Sequence, residues 1–190
     1  MSEKERMIEE YEISPYTMAI LPITYGSKLY SEIWELENRF ISPFKPLDIV
    51  KKSCEYFGSS YEGRRNGTRR LIGVTHKAPI MLDSYTSSFL IPTTSPMNPD
   101  CIWLLLNHVH HHEKSSSNNT LVTLRNNQTL EIPISLSSFT NQLQRAAQLR
   151  LKYYQHIENM DNKYKRTGFY LNMEASEQKR DYEFKRFFSE

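Results

Sequence analysis

The chain has 190 residues, of which 38% are apolar and 12% aromatic, so it can bury the core of one folded domain. Its net charge of +2 excludes a uniformly basic protein. The longest fully apolar run, residues 102–106, is far too short to span a membrane, and the acidic, polar N-terminus is unlike a signal peptide. These features predict a cytoplasmic protein with no membrane partner.

The first part of the chain is predicted to be mainly β-structure. Residues 1–10 are polar, charged and without periodicity, so we expect them to be disordered. Strands are predicted at residues 17–21, which end at Pro22, and at residues 29–36. Tyr25-Gly26-Ser27 is the expected turn between them.

A helix is predicted from Pro46 to Gly58, because proline suits the first helical position and glycine is a natural helix stop. Its apolar stripe is expected in the core and comprises Leu47, Val50, Cys54 and Phe57. The polar, glycine-containing residues 59–68 are predicted to form a loop that ends in Arg69 and Arg70. A short strand is expected at residues 71–74, and Ala78-Pro79 should keep the chain extended.

The remaining elements complete an α+β pattern. Strands are predicted at residues 89–91, 101–109, 121–124 and 130–134, with the last two joined across Asn126-Asn127-Gln128. A long helix, capped by Ser137 or Ser138, is expected over residues 138–160. Its expected inner face comprises Phe139, Leu143, Ala146 or Ala147, Tyr153 or Tyr154, and Ile157.

The predicted fold class is therefore α+β: one or more antiparallel sheets with two or three helices and a helical C-terminal tail. The folded domain is expected over residues 11–160. Residues 161–190 are predicted to be a tail that binds a partner, with a short charged helix at residues 176–188.

Basic side chains are concentrated in two zones. Residues 51–77 carry seven basic side chains against two acidic ones, and residues 142–166 carry six against two. The candidate nucleic-acid contacts in the first zone are Lys51, Lys52, Arg64, Arg65, Arg69, Arg70 and Lys77. Arginine suits phosphate contacts and insertion into a narrow minor groove, and the neighbouring glycines allow close backbone approach. A solvated basic loop without a partner is the competing interpretation.

The cysteines and histidines offer weaker signals. Cys54 and Cys101 have no metal-ligand spacing and are expected to be free and buried. The histidine cluster comprises His108, His110, His111 and His112, followed by Glu113. On a strand, His108 and His110 would share one face that a metal could use, but no complete ligand set is apparent, so we favour a polar strand end without metal. No catalytic or cofactor motif is present, so neither an enzyme nor a cofactor is predicted.

The central basic segment carries a family resemblance. Residues 52–68, KSCEYFGSSYEGRRNGT, followed by residues 75–80, THKAPI, resemble the signature of the competence transcription factor (ComK) family. Weaker similarity extends over most of the chain, including Trp103 and residues 45–47, 89–93, 108–110, 131–135 and 138–142. The family often has two prolines where this chain has Ala78-Pro79, and the tail departs from the family pattern at residues 172–174.

The resemblance implies a DNA-binding activator of competence genes that binds A/T-tract boxes mainly through the minor groove. It also implies a homo-oligomer, a dimer or tetramer on DNA, with RNA polymerase as a further candidate partner. In the tail, Phe169, Tyr170 and Leu171 match the start of a segment bound by a protease adaptor. Two alternatives stay open: a binder of single-stranded nucleic acid or RNA, and a metal-dependent hydrolase built around His108 and His110.

Overall fold

A computed structural model of the protein describes residues 6–166. The described residues divide into two compact units, one that ends at Arg150 and one that begins at Leu151. The strands are β1 (Arg6–Met7), β2 (Thr17–Tyr25), β3 (Lys28–Glu35), β4 (Arg39–Ser42), β5 (Ile80–Asp83), β6 (Ser88–Pro92), β7 (Trp103–Leu105), β8 (Val109–Lys114), β9 (Thr120–Leu124) and β10 (Thr129–Ile132). The helices are α1 (Pro46–Tyr56), α2 (Tyr61–Ile72) and α3 (Leu136–Arg166).

The strands form two sheets, which confirms the predicted α+β class. Seven strands lie in the order β1-β4-β3-β2-β7-β6-β5, and β10-β9-β8 form the second sheet. All neighbouring strands are antiparallel except β1, which pairs in parallel with β4. The expected disorder of residues 1–10 is therefore wrong for Arg6 and Met7, whereas residues 1–5 lie outside the described residues.

Both faces of the seven-stranded sheet are buried. Alternate residues of each strand point to opposite sides, so one strand can contribute to both apolar clusters. On β2 and β7, Ile20 and Trp103 belong to one apolar cluster, whereas Ala19 and Leu104 belong to the other. The first cluster includes Val50 of α1 and Tyr61 of α2. The second includes residues of the three-stranded sheet and of α3. The two helix groups therefore cover opposite faces of one sheet.

Helix α1 forms where the sequence predicts it, with Pro46 at its N-terminus. Val50 and Cys54 are fully buried, whereas Leu47 and Phe57 are half-buried against the same cluster. Cys101 is buried too, and both cysteines are free, as predicted. Burial raises the pKa of the Cys54 thiol to about 11.

The predicted loop at residues 59–68 and strand at residues 71–74 are wrong, because this segment forms helix α2. The Ser60 hydroxyl caps the helix by accepting a 3.0 Å hydrogen bond from the Gly63 N–H. Gly73, at φ +71°, ends it and donates to the Arg69 carbonyl. The helical stripe was hidden because polar Arg64 and Thr68 occupy inward positions normally held by apolar residues.

Other predicted boundaries differ in detail. Residues 101–109 are not one strand: β7 is followed by a 3-10 turn (Leu106–His108) before β8 begins. Strand β2 continues through Pro22, because only β3 pairs with it there and no hydrogen bond to β7 is required of that residue. Asn127 supplies the positive φ of +65° in the predicted β9–β10 turn.

Helix α3 is longer than predicted at both ends. Ser135 accepts from the Ser138 N–H at 3.3 Å and so acts as the cap. Phe139 and Ala146 are buried, as expected of an inner face, but Ala147 is exposed.

In the second unit, residues 151–166 carry large apolar side chains that are at least 40% exposed: Leu151, Tyr154, Ile157, Met160 and Tyr164. The predicted burial is therefore wrong for Ile157, and of the two tyrosines only Tyr153 is half-buried. Helical periodicity identifies a face but does not show that anything packs against it. No helix within residues 6–166 is both long and apolar enough to cross a membrane.

Candidate nucleic-acid interface

Helix α2 is attached to the domain by two buried side chains. Tyr61 packs edge-to-face on Trp103, with ring centroids 6.3 Å apart, and burial raises its pKa to about 12. The Thr68 hydroxyl donates a 2.7 Å hydrogen bond to the carbonyl of Pro79. Because Tyr61 and Thr68 are two helical turns apart, they fix one face of α2 inward and leave the opposite face outward.

This attachment places the four arginines of α2 in two different environments. Three of them are exposed: Arg65, Arg69 and Arg70. No carboxylate within residues 6–166 forms an ion pair with any of the three. Arg64 is half-buried instead, and its guanidinium donates to the carbonyl of Phe57 and to the sulfur of Met81, both at 3.4 Å. Arg64 therefore ties α2 to neighbouring elements, whereas the other three cations can reach a partner.

Two glycines lie on the outward side of α2. Gly63, Gly67 and Arg70 follow helical spacing and share one face. A methyl group at Gly67 would meet no atom within 4 Å, so no packing inside the chain requires glycine there. Glycine in a helix interior costs about 1 kcal/mol relative to alanine. The bare backbone on this face allows a partner to approach the helix closely beside Arg70.

A recess of about 280 Å³ gathers three of the predicted basic residues: Lys51, Arg65 and Lys77. They come from α1, from α2 and from the segment that leads into β5. One carboxylate, that of Glu62, lines the same recess, so its charge is positive on balance. A neighbouring recess of about 360 Å³ shares Lys51 and is also lined by Lys45 and Asp48. The basic surface thus extends along α1.

Lys77 occupies its place in the recess at a conformational cost. Its φ of +50° lies in the left-handed region, which costs a non-glycine residue about 1–2 kcal/mol. Its carbonyl accepts a 3.2 Å hydrogen bond from Nε2 of Gln142, and the carbonyl of His76 accepts from Arg145 at 3.4 Å. The Thr68 hydroxyl holds the carbonyl of Pro79, two residues further along. Residues 76–79 are therefore held by α2 on one side and by α3 on the other.

The remaining predicted contact, Lys52, lies apart from these recesses. Its Nζ is 3.6 Å from the centroid of the Phe44 ring, a cation–π contact on the exposed surface of α1. Sequence analysis missed Gln142 and Arg145 as supports of the basic surface. They lie on α3, far along the chain from Lys77, and no local pattern signals such a long-range contact.

The predicted pairing of His108 and His110 on one strand face is wrong. His108 ends the 3-10 turn, and a bulge between Val109 and His111 interrupts the pairing of β8 with β9. His110 is exposed, whereas His108 is buried and donates from Nε2 to the carbonyl of Pro15 at 2.7 Å. Within residues 6–166, no three His, Cys, Asp or Glu side chains are grouped closely enough to hold a metal ion.

The environment of His108 favours the neutral imidazole. Burial lowers the pKa of His108, and the nearby charge of Arg125 lowers it further, although the bond to Pro15 opposes both. Its buried Nδ1 has no hydrogen-bond partner within the described residues, so a second ring proton would be unsatisfied. Burial also lowers the pKa of His112, whose Nε2 lies 3.1 Å from the Thr140 hydroxyl.

The fold and this surface define an α+β protein with a basic, recessed helical face, a class suited to binding polyanions. Residues 8–158 match the family model described as ComK protein. The chain is also 41% identical over 160 residues to the competence transcription factor of Bacillus subtilis (strain 168). The aligned region covers 84% of this chain and 83% of that protein. The chain therefore belongs to the ComK family. No match was found among solved protein structures.

The buried histidine predicts a pH-dependent stability. Because the folded-state pKa of His108 lies below its ordinary value of 6.5, the unfolded chain binds more protons as the pH falls. The stabilisation is complete above about pH 6.5 and is lost as the pH falls through the folded-state pKa. Denaturant unfolding should therefore give a free energy that decreases from pH 7.5 to 5.5. His108→Gln, which can still donate to Pro15, should flatten this dependence; an unchanged slope would contradict the account.

Proposed function

We propose that the protein is a DNA-binding transcription activator of competence genes. Two findings support the proposal: family membership, and 41% identity to a protein named competence transcription factor. The observation that carries the DNA site is the convergence of Lys51, Arg65 and Lys77 in one recess beside the exposed Arg69 and Arg70. Such a surface binds a phosphate backbone, whose neutralisation supplies much of the affinity for DNA.

The proposed mode of binding combines phosphate contacts with recognition of groove width. Lys51 and Lys77 at the recess would hold one phosphate strand. Arg65, Arg69 or Arg70 would enter the narrow minor groove of an A/T tract, where the negative potential is strongest. No base-edge contacts are needed for this selectivity, because groove width itself depends on sequence.

The connection of α1 to α2 supports a second mode. These helices are joined by a short turn that contains Gly58 at φ +68°, as in helix-turn-helix proteins. In that mode, α2 would lie in the major groove. A minor-groove ligand that competes with the protein on an A/T tract favours the first mode, whereas N7 modification of guanine that blocks binding favours the second.

The assembly and location follow from the same proposal. The activator would act as a dimer or tetramer on paired boxes in cytoplasmic DNA, with RNA polymerase as a further candidate partner. Exposed tyrosines give some support to single-strand binding instead. They do not form one stacking platform on a sheet, however, because Tyr25 ends β2, Tyr56 ends α1, and Tyr16 and Tyr85 lie in turns.

The arginines of α2 provide the first test of the DNA site. Each of Arg65→Ala, Arg69→Ala and Arg70→Ala should weaken duplex binding and reduce the salt slope, the dependence of log K on log salt, by about one unit. Thermal stability should change little, because these side chains are exposed.

The matched control is Arg125→Ala, an exposed arginine on the turn between β9 and β10, which should leave the slope unchanged. Unchanged affinity and slope in the triple variant at Arg65, Arg69 and Arg70 would reject this surface as the DNA site.

We also propose regulation by proteolysis through the C-terminal tail. Phe169, Tyr170 and Leu171 lie outside the described residues, so the proposal is supported by their similarity to the family's adaptor-binding segment. An adaptor that captures this apolar peptide would deliver the activator to an ATP-dependent protease, and the protein level would then set activity.

Replacing Phe169, Tyr170 and Leu171 together by alanine should lengthen the cellular half-life and abolish adaptor capture, with duplex affinity preserved. Half-life is measured after translation is stopped, and adaptor capture is measured with purified components. Degradation as fast as that of the wild type, or loss of folding, would reject the tail as the degradation signal.

A further inference from the structure

The side chain of Gln142, near the N-terminal end of α3, is a buried polar group. It is 3% exposed, and both ends of its amide form hydrogen bonds. Nε2 donates to the carbonyls of Lys77 at 3.2 Å and Pro92 at 2.9 Å, and Oε1 accepts from Arg145 at 3.2 Å. The amide thus makes three of its four possible hydrogen bonds. Its removal would be costly, because the carbonyls of Lys77 and Pro92 would lose these donors.

This network acts on the one strained residue of the basic recess. Lys77 is left-handed, and a turn alone would be served better by glycine, which adopts that conformation without cost. The neighbouring carbonyl of His76 is held by Arg145, which also contacts Gln142. The network therefore fixes two successive peptide groups around Lys77, and these set the direction of its side chain.

We infer that Gln142 is a positioning residue that holds Lys77 in the conformation in which it binds a DNA phosphate. The inference rests on the proposed DNA-binding function and adds to it a specific support, contributed by α3 from the opposite face of the sheet. Gln142 itself is buried and does not touch DNA. Its contribution to binding passes through Lys77, so removing either side chain should forfeit the same phosphate contact.

The test compares Lys77→Ala, Gln142→Met and the double variant of the full-length protein on one duplex across a range of salt concentrations. Methionine keeps the length and apolar volume of Gln142 but cannot donate to the two carbonyls. Lys77→Ala should lower the salt slope by about one unit. Gln142→Met should lower it by a similar amount, and the double variant should be no weaker than either single variant. Gln144→Ala, at an exposed position two residues along α3, should change nothing.

A merely structural role for Gln142 predicts a different pattern. Gln142→Met would then leave the slope unchanged, and its effect on affinity would add fully to that of Lys77→Ala, which would overturn the inference. If methionine prevents folding, Gln142→Glu is used, because its carboxylate can pair with Arg145 but cannot donate. Loss of folding in both variants would also overturn the inference, since Gln142 would then support the whole domain.

The proposed function fails in a distinguishable way. If Lys77→Ala and the arginine variants of α2 all leave duplex affinity and slope unchanged, the DNA site is wrong, whatever Gln142 does. If Lys77→Ala lowers the slope and Gln142→Met does not, the site stands and the positioning role fails. Lys77→Gly adds a check on strain: it should retain or raise thermal stability and still lose the contact, because glycine relaxes the backbone but supplies no charge.

Discussion

The burial of both faces of the seven-stranded sheet is the constraint on which the rest of the structure depends. One face is covered by α1 and α2 and the other by the small sheet and the start of α3. Each helix must give its apolar side to the sheet, so its polar side is left for solvent or a partner. The basic surface exists because Tyr61 and Thr68 turn the arginine side of α2 away from the core.

Concentrating cations on one surface has an electrostatic cost, and the structure offsets little of it internally. The ion pair found within residues 6–166 joins Arg39 to Glu32, away from α2. Glu62 and Asp48 line the two recesses, but Lys45, Lys51, Arg65 and Lys77 outnumber them. The left-handed Lys77 and the helical Gly67 add conformational costs of their own. A partner with negative charge would offset the repulsion between the cations.

The sequence predicts what local patterns encode and misses what distant contacts decide. Helix α1 was predictable because Val50 and Cys54 follow helical spacing between Pro46 and Gly58. Helix α2 was not, because Arg64 and Thr68 satisfy their polar groups on Phe57, Met81 and Pro79, contacts that exist only in the folded chain. The role of the basic residues in binding DNA stays a prediction, but the structure shows that Lys51, Arg65 and Lys77 line one recess. Only the fold shows which basic side chains line the recess, which are exposed on α2 and which are bonded within the domain. The support from Gln142 could not be predicted either, because Gln142 and Lys77 are 65 residues apart in the sequence.

The most direct test of the central claim is a comparison of three probes of equal length at one stated salt concentration. They are an A/T-tract duplex, a G/C-rich duplex and a single strand of the A/T-tract sequence. The account predicts at least about tenfold tighter binding to the A/T-tract duplex, a difference of about 1.4 kcal/mol, and loss of that preference when a minor-groove ligand is bound first. Equal affinity for both duplexes, or tighter binding to the single strand, would contradict it.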